Sequence, residues 1–155
     1  MFPEGVAASI ESMATLNRRA AEVATQYTIH SCTDITGFGL LGHAYEMAAG
    51  SGVAMKIKAS TIPLLPEAAE AATIGLVPAG AYARREYLTT VCIDSSVPVA
   101  IQDLCFDPQT SGGLLLSVPY GEAEALLRAL QQGGTPQARM IGEVIEGERG
   151  EIYVY

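Results

Sequence analysis

A strand, a glycine-rich turn and an amphipathic helix follow one another over residues 27–52, an order that requires a domain mixing helices with strands. Residues 27–33 read as a short strand, and the helix should begin near Gly39 and end at the Gly50-Ser51-Gly52 stretch. The apolar stripe of this helix comprises Leu40, Leu41, Ala44, Met47 and Ala48. Backbone N–H groups and the positive end of the helix dipole should therefore point at the turn.

Further helices and strands are predicted along the rest of the chain. The predicted helices cover about residues 9–24, 66–73, 97–104 and 123–130, and the predicted strands cover residues 53–58, 91–94 and 113–118. Residues 81–89 show no clear preference. Two last strands, over residues 140–146 and 151–155, are expected to pair as a hairpin across residues 147–150.

This mixture predicts an α+β fold in which helices pack on a mixed sheet. The 155 residues suit one domain over residues 1–155, with no repeat and no internal linker. Hydrophobic residues make up 49% of the chain, a slight excess that hints at surface covered by a partner or another domain.

The charge balance excludes two classes of partner. The chain has nine basic and seventeen acidic residues, which gives a net charge of −8. Nucleic acids and anionic membrane surfaces both attract basic residues, so neither is an expected partner. The first residues lack a basic stretch before an apolar one, and the three cysteines are widely spaced. A reduced, cytoplasmic protein without a structural zinc site is predicted.

Residues 33–43, the glycine-turn segment, carry the strongest chemical signal. Gly37 and Gly39 allow the backbone to approach a ligand closely, and Asp34 suits a hard cation such as Mg²⁺ that bridges a carboxylate and a phosphate. Together with Thr33 and Thr36, these residues form a candidate metal and phosphate site. An alternative remains open, because an Asp before a glycine turn commonly caps the helix that follows.

Two neighbours of this segment are interpreted as structural. His43 is one helical turn from Glu46, and such a surface pair is favoured over a catalytic base. Cys32 lies in a predicted strand, where a cysteine is usually a small buried apolar residue.

Residues 106–113, here called the Gln109 loop, form the second dense segment. Asp107-Pro108 favours a turn, and Gly112-Gly113 gives backbone freedom before an apolar strand. We expect this loop to lie near the glycine-turn segment and to help shape the site. Ser111 has no neighbouring His and Asp, so a hydrolase nucleophile is not expected.

The two segments together resemble a known family. Thr-Asp-Ile-Thr-Gly-Phe-Gly-Leu-Leu-Gly-His, at 33–43, closely resembles the signature of the selenide, water dikinases. Phe-Asp-Pro-Gln-Thr-Ser-Gly-Gly, at 106–113, resembles a second signature of that family. Related enzymes, such as aminoimidazole ribonucleotide synthetase and the hydrogenase-maturation dehydratase, have looser versions of both. The order of the intervening elements also matches, so the resemblance spans nearly the whole chain.

The resemblance implies a layered α/β/α domain like the C-terminal domain of aminoimidazole ribonucleotide synthetase. The family makes selenophosphate from selenide, ATP and water and releases AMP and phosphate. Its members are homodimers whose N-terminal domain carries the reactive Cys or selenocysteine, the essential Lys and most Mg²⁺-binding aspartates. The chain should therefore have its own N-terminal domain as a partner, hold no catalytic residue itself, and be inactive alone. Asp34 matches the aspartate that reaches towards the metal and phosphates.

Two other interpretations remain. The chain could be the corresponding domain of another ATP-using synthetase or dehydratase of the same superfamily, although the sequence of the Gln109 loop favours the dikinases. It could also be a non-enzymatic docking or dimerisation module, because no complete active site is visible in its sequence.

Overall fold

A computed structural model describes residues 3–155, so Met1 and Phe2 of the predicted domain lie outside the described residues. The helices are α1 (Pro3–Ala14), α2 (Arg18–Ala24), α3 (Gly39–Ser51), α4 (Ala68–Thr73), α5 (Ala79–Tyr87), α6 (Val99–Cys105) and α7 (Tyr120–Gln132). The strands are β1 (Ser31–Asp34), β2 (Ala54–Ile57), β3 (Val91–Ile93), β4 (Leu114–Ser117), β5 (Gly142–Ile145) and β6 (Ile152–Val154). A short 3₁₀ turn covers Ala59–Thr61.

The strands form two separate sheets. β1 and β4 pair antiparallel, and a four-stranded mixed sheet has the order β3-β6-β2-β5. In the mixed sheet β6 runs parallel to both β2 and β3, whereas β5 runs antiparallel to β2. The α+β prediction is therefore confirmed, and its strands divide between two sheets.

The two sheets have separate apolar cores. The larger core joins α3, α5 and α6 to the mixed sheet, with Leu41, Phe106 and Ile152 at its centre. The smaller core packs α2 and α7 on the β1–β4 pair through Ala20 and Leu126. α3 contacts β1 as well as β2 and β6, so it links the two sheets.

The predicted terminal hairpin is wrong. β5 and β6 are close in sequence, but β2 lies between them and pairs with both. Met55 of β2 lies opposite Val144 of β5 and Ile152 of β6. A short connection with glycines favours local pairing, but both strands pair instead with β2, in which Ala54, Met55 and Ile57 are buried.

The single helix predicted over residues 9–24 is divided in two. α1 ends at Ala14, and α2 begins at Arg18. Between them, the side chain of Asn17 donates a hydrogen bond of 2.9 Å to the carbonyl of Gly112. Asn17, the N-cap residue of α2, is thereby held against the Gln109 loop at the break between the two helices. No helix within residues 3–155 has the length and apolar character needed to cross a membrane.

Candidate functional site

Asp34 is the last residue of β1 and pairs with Leu114 of β4. Its side chain is exposed, and within residues 3–155 its carboxylate accepts no hydrogen bond and forms no ion pair. β1 therefore presents a carboxylate whose two oxygens are free for an external partner.

Asp34 does not cap the following helix. α3 begins at Gly39, Phe38 occupies the N-cap position, and no side chain makes a capping hydrogen bond there. The capping interpretation of Asp34 is therefore wrong. The first N–H groups of α3 have no side-chain acceptor, and such groups favour an anion at the start of a helix.

Gly39 allows the start of α3 to lie directly against the Gln109 loop. It has a φ of +69°, and a Cβ built on it would lie 2.9 Å from the carbonyl oxygens of Phe106 and Asp107. An L-residue with a side chain would therefore meet both backbone strain and a steric clash. The glycine that the sequence assigned to ligand approach is thus needed first for contact between the two segments.

Backbone hydrogen bonds join the glycine-turn segment to the Gln109 loop. The N–H of Gln109 donates to the carbonyl of Thr36 at 3.0 Å. Ile35 and the Gly112-Gly113 pair exchange two further bonds, of 2.8 and 2.9 Å. The predicted proximity of the two segments is confirmed, and antiparallel pairing of β1 with β4 is its cause.

The remaining predicted residues lie around the same turn but differ in what they can offer. Thr33 is half-buried in β1, and its hydroxyl contacts the carbonyl of Asp34 at 3.3 Å. The hydroxyl of Thr36 is paired with Nε2 of His43 at 3.1 Å. Gly37 is exposed. Asp34 and the backbone at Gly37 are thus more available to a ligand than the two threonine hydroxyls.

His43 is a buried residue that fixes the turn. Besides its contact with Thr36, its Nδ1 lies 3.3 Å from Oε2 of Glu46, an ion-pair distance without hydrogen-bond geometry. The predicted pairing of His43 with Glu46 is present, although His43 is only 7% exposed and is not a surface residue. Both ring nitrogens face protein groups, which supports a structural role.

Arg84 was not singled out by the sequence, because residues 81–89 had no clear pattern. It lies on α5, and its guanidinium carbon lies 5.5 Å from the centre of the Phe38 ring. Its Nη1 donates to the carbonyl of Gly80 at 2.9 Å. Its Nη2 lies 4.0 Å from the position a Cβ on Gly37 would occupy. A cationic side chain therefore flanks the glycine turn.

Asp107 is a second carboxylate near this turn, and it is half-buried. Its Oδ2 accepts a hydrogen bond of 2.8 Å from the side chain of Gln109. Burial raises the pKa of Asp107, and the bond from Gln109 opposes that rise. Asp107 is therefore engaged within its own loop, in contrast to Asp34.

The three cysteines are free thiols. The prediction that Cys32 is buried is wrong, because its residue is exposed on β1. Partial burial of the sulfur, and then the negative charge of Asp34, raise the pKa of the Cys32 thiol. Cys105 is buried, and burial raises its pKa to about 12. Both shifts disfavour the nucleophilic thiolate.

The glycine-turn segment forms an open surface. Two clefts of about 300 and 500 Å³ lie elsewhere, the first beside Arg85 and Gln102 and the second beside Thr61 and Arg139. Within the part of the chain that the structure describes, no three His, Cys, Asp or Glu residues cluster closely enough to hold a metal ion. Asp34 can thus supply one ligand but not a complete metal site.

The fold and this surface agree with a family match. Residues 3–155 match the model described as "AIR synthase related protein, C-terminal domain", and the chain belongs to that family.

Curated relatives are selenide, water dikinases, as the sequence signatures predicted. The selenide, water dikinase of Pelobacter propionicus is 49% identical over 146 residues, which is 94% of this chain and 42% of the relative. Selenide, water dikinase 2 of Peptoclostridium acidaminophilum is 43% identical over 145 residues, with the same two coverages. The chain thus spans less than half the length of these relatives.

Solved structures support the fold. The hydrogenase maturation protein HypE of E. coli superposes with a TM-score of 0.66 at 18% identity, covering 92% of this chain and 36% of that one. A HypE structure in complex with ATP gives a TM-score of 0.58 at 18% identity, covering 92% of this chain and 38% of that one. At this identity the likeness establishes the fold alone.

Proposed function

We propose that this chain is the C-terminal domain of a selenide, water dikinase, which converts selenide, ATP and water to selenophosphate, AMP and phosphate. Its relatives of that name match 94% of the chain at 43% and 49% identity. One observation in the structure carries the proposal further. The free carboxylate of Asp34 stands beside the uncapped start of α3, so anionic and cationic ligand groups find complementary partners within one turn.

The site residues fit one part of a Mg²⁺–ATP site. Asp34 has the hard, anionic oxygens that Mg²⁺ prefers, and it is exposed and unpaired within the described chain. The N–H of Gly37 and the N–H groups of α3 that follow Gly39 suit phosphate oxygens, whereas the N–H of Gly39 itself donates to the Thr36 carbonyl at 3.0 Å. Bound Mg²⁺ would neutralise phosphate charge during phosphoryl transfer. The remaining ligands, the nucleophile and the essential lysine would come from an N-terminal domain of the same enzyme.

This division of labour gives the C-terminal domain a positioning role. Phosphoryl transfer depends on orientation and charge neutralisation more than on covalent chemistry by the protein. Asp34 would complete the metal shell only when the two domains close on the nucleotide, which would couple closure to catalysis. The 155-residue chain alone would then be inactive.

The proposal extends to assembly and location. The enzyme would be a homodimer, as the family resemblance implies. It would act in the cytoplasm, where free thiols such as the three found here stay reduced.

Turnover by the full-length protein tests the proposal. The protein is incubated with Mg²⁺, ATP and selenide under anaerobic conditions, and its phosphorus NMR spectrum is followed. We expect equal amounts of selenophosphate, AMP and orthophosphate, and none without selenide.

Two results would contradict the proposal. ATP consumption that does not depend on selenide would favour another synthetase or dehydratase of the superfamily. Absence of ATP turnover under every condition would favour the non-enzymatic module.

A further inference from the structure

We propose that Arg84, which lies beside the glycine turn, binds a phosphate oxygen of the nucleotide at this site. The inference rests on the proposed function, because it names a residue of the same ATP site. It adds a cationic contact from α5, an element that neither sequence signature includes.

The guanidinium of Arg84 is held in place on two sides. It stacks over Phe38, with 5.5 Å between its central carbon and the ring centre, and its Nη1 donates to the Gly80 carbonyl at 2.9 Å. Stacking on an aromatic face and a backbone bond fix the orientation of the planar fork. An arginine fixed in this way loses little side-chain freedom when a ligand binds.

Arg84 keeps hydrogen-bonding capacity that the described protein does not use. Its Nε is buried and has no partner within residues 3–155. Its Nη2 makes no hydrogen bond there and lies beside Gly37, which is exposed. A phosphate oxygen on the exposed Gly37 side of the turn would meet Nη2, whereas the buried Nε is not reached from that side.

The charge of Arg84 is also unbalanced. No carboxylate of the described residues lies within 4.0 Å of its nitrogens, and the same is true of Arg19, Arg139 and Arg149. In a chain with a net charge of −8, a fixed arginine beside a ligand turn without a counter-ion favours an anionic ligand. The guanidinium fork matches phosphate oxygens better than a single ammonium does.

Asp34 and Arg84 then have complementary tasks. The carboxylate would hold a cation that bridges to the phosphates, and the guanidinium would contact a phosphate oxygen directly. Because the two side chains form no ion pair with each other, each is free for its own ligand.

Equilibrium binding to the full-length enzyme tests this role without requiring turnover. Dissociation constants for Mg²⁺–ATP and for adenosine are measured by calorimetry for the unsubstituted enzyme and for Arg84→Gln, Arg84→Lys and Arg128→Gln. Arg128→Gln is the matched control, because it removes the same charge from an exposed position on α7. Thermal melts of each variant establish that it is folded.

Loss of a charge-assisted hydrogen bond predicts that Arg84→Gln weakens Mg²⁺–ATP binding by about tenfold or more. The affinity of Arg84→Gln for adenosine should not change. The affinity of Arg84→Lys for Mg²⁺–ATP should lie between those of Arg84→Gln and the unsubstituted enzyme, and that of Arg128→Gln should equal the unsubstituted value. If Arg84→Gln does not fold, the charge-retaining Arg84→Lys provides the test. Its affinity for Mg²⁺–ATP should fall by at least about threefold, and its affinity for adenosine should not change.

An Arg84→Gln enzyme that binds Mg²⁺–ATP within twofold of the unsubstituted one would overturn the inference. Equal losses for ATP and adenosine would overturn it too, because they would indicate a structural role. Selective weakening for ATP in an enzyme that makes no selenophosphate would retain Arg84 as a phosphate contact while refuting the proposed function. Absence of ATP binding by the unsubstituted enzyme would refute both.

Discussion

The hydroxyl of Thr36 lies 3.1 Å from Nε2 of His43, and this contact closes the glycine turn onto the first turns of α3. His43 is buried, and its ring also contacts Phe38, with 5.6 Å between ring centres. The contact therefore fixes the backbone between Asp34 and the helix start. A small shift here would move the candidate metal ligand relative to the helix N–H groups.

Substitution of Thr36 should lower the free energy of unfolding more than substitution of Glu46, the other partner of His43. Thr36→Val keeps the side-chain shape but leaves Nε2 of a buried ring without its partner, so we expect a loss of about 1–2 kcal/mol in the free energy of unfolding. Glu46→Gln changes a carboxylate that is itself exposed and makes no hydrogen bond with the His43 ring, so it should cost less than about 0.5 kcal/mol. Urea denaturation of both variants measures the difference, and equal costs would contradict this account.

Asp34→Asn should preserve the fold and impair the reaction. The side chain is exposed, caps no helix and has no partner within residues 3–155, so stability should change by less than about 0.5 kcal/mol. Loss of one anionic metal ligand should slow selenophosphate synthesis by roughly two decades or more and alter its Mg²⁺ dependence.

Glu143→Gln provides the control for Asp34→Asn. It makes the same change of carboxylate to amide at an exposed position on β5, so its rate should match the unsubstituted enzyme. A near-normal rate and Mg²⁺ dependence for Asp34→Asn would refute the metal assignment.

Comparison of Gly39→Ala with Gly52→Ala should distinguish the cost of a steric clash between the two segments from the cost of backbone strain. Gly39 and Gly52 both have a φ of +69°, but a Cβ on Gly52 meets nothing within 4 Å. Gly52→Ala should therefore cost about 1–2 kcal/mol from strain alone. Gly39→Ala should cost at least about 1 kcal/mol more, because its Cβ would also collide with the Phe106 and Asp107 carbonyl oxygens. Denaturant titrations compare the two, and equal losses would show that the segments adjust freely.

Cys105 should make the protein less stable at alkaline pH. Its pKa is about 12 in the folded chain, above the ordinary value of 9.0. Between these values the unfolded thiol loses its proton while the folded one keeps it, so the folded state binds more protons. The free energy of unfolding should then fall as pH rises, by up to about 1.4 kcal/mol per pH unit from this group.

Cys105→Ala tests the alkaline dependence directly. Its free energy of unfolding between about pH 9 and 11 should fall less steeply than that of the unsubstituted protein, although its stability at neutral pH will be lower. Parallel pH profiles would contradict the assignment.

Local patterns predicted α3 closely. Its helix was expected near Gly39 and up to the Gly50-Ser51-Gly52 stretch, and the structure has Gly39–Ser51 with Gly52 in the left-handed conformation. Glycines that end a helix, and an apolar stripe of period 3.6, are both signals carried by neighbouring residues. The same holds for β2 and β4, whose ends lie within one residue of their predicted bounds.

Features that depend on distant residues were not accessible in this way. The insertion of β2 between β5 and β6 depends on pairing between strands that are far apart in the sequence, which no window of sequence reveals. Arg84 becomes a candidate only when α5 packs near Phe38, some 46 positions earlier in the chain. The exposure of Asp34 beside an uncapped helix likewise follows from the pairing of β1 with β4.

The structure also implies that the domain does not open as a single unit. α1 buries none of its residues, and a bond of 2.7 Å from the N–H of Gly5 to Oε2 of Glu67 joins it to the rest of the chain. α3, in contrast, buries seven residues between the two sheets. The amide protons of α1 should therefore exchange with solvent through local opening at small free-energy cost, whereas those of α3 should exchange only through global unfolding.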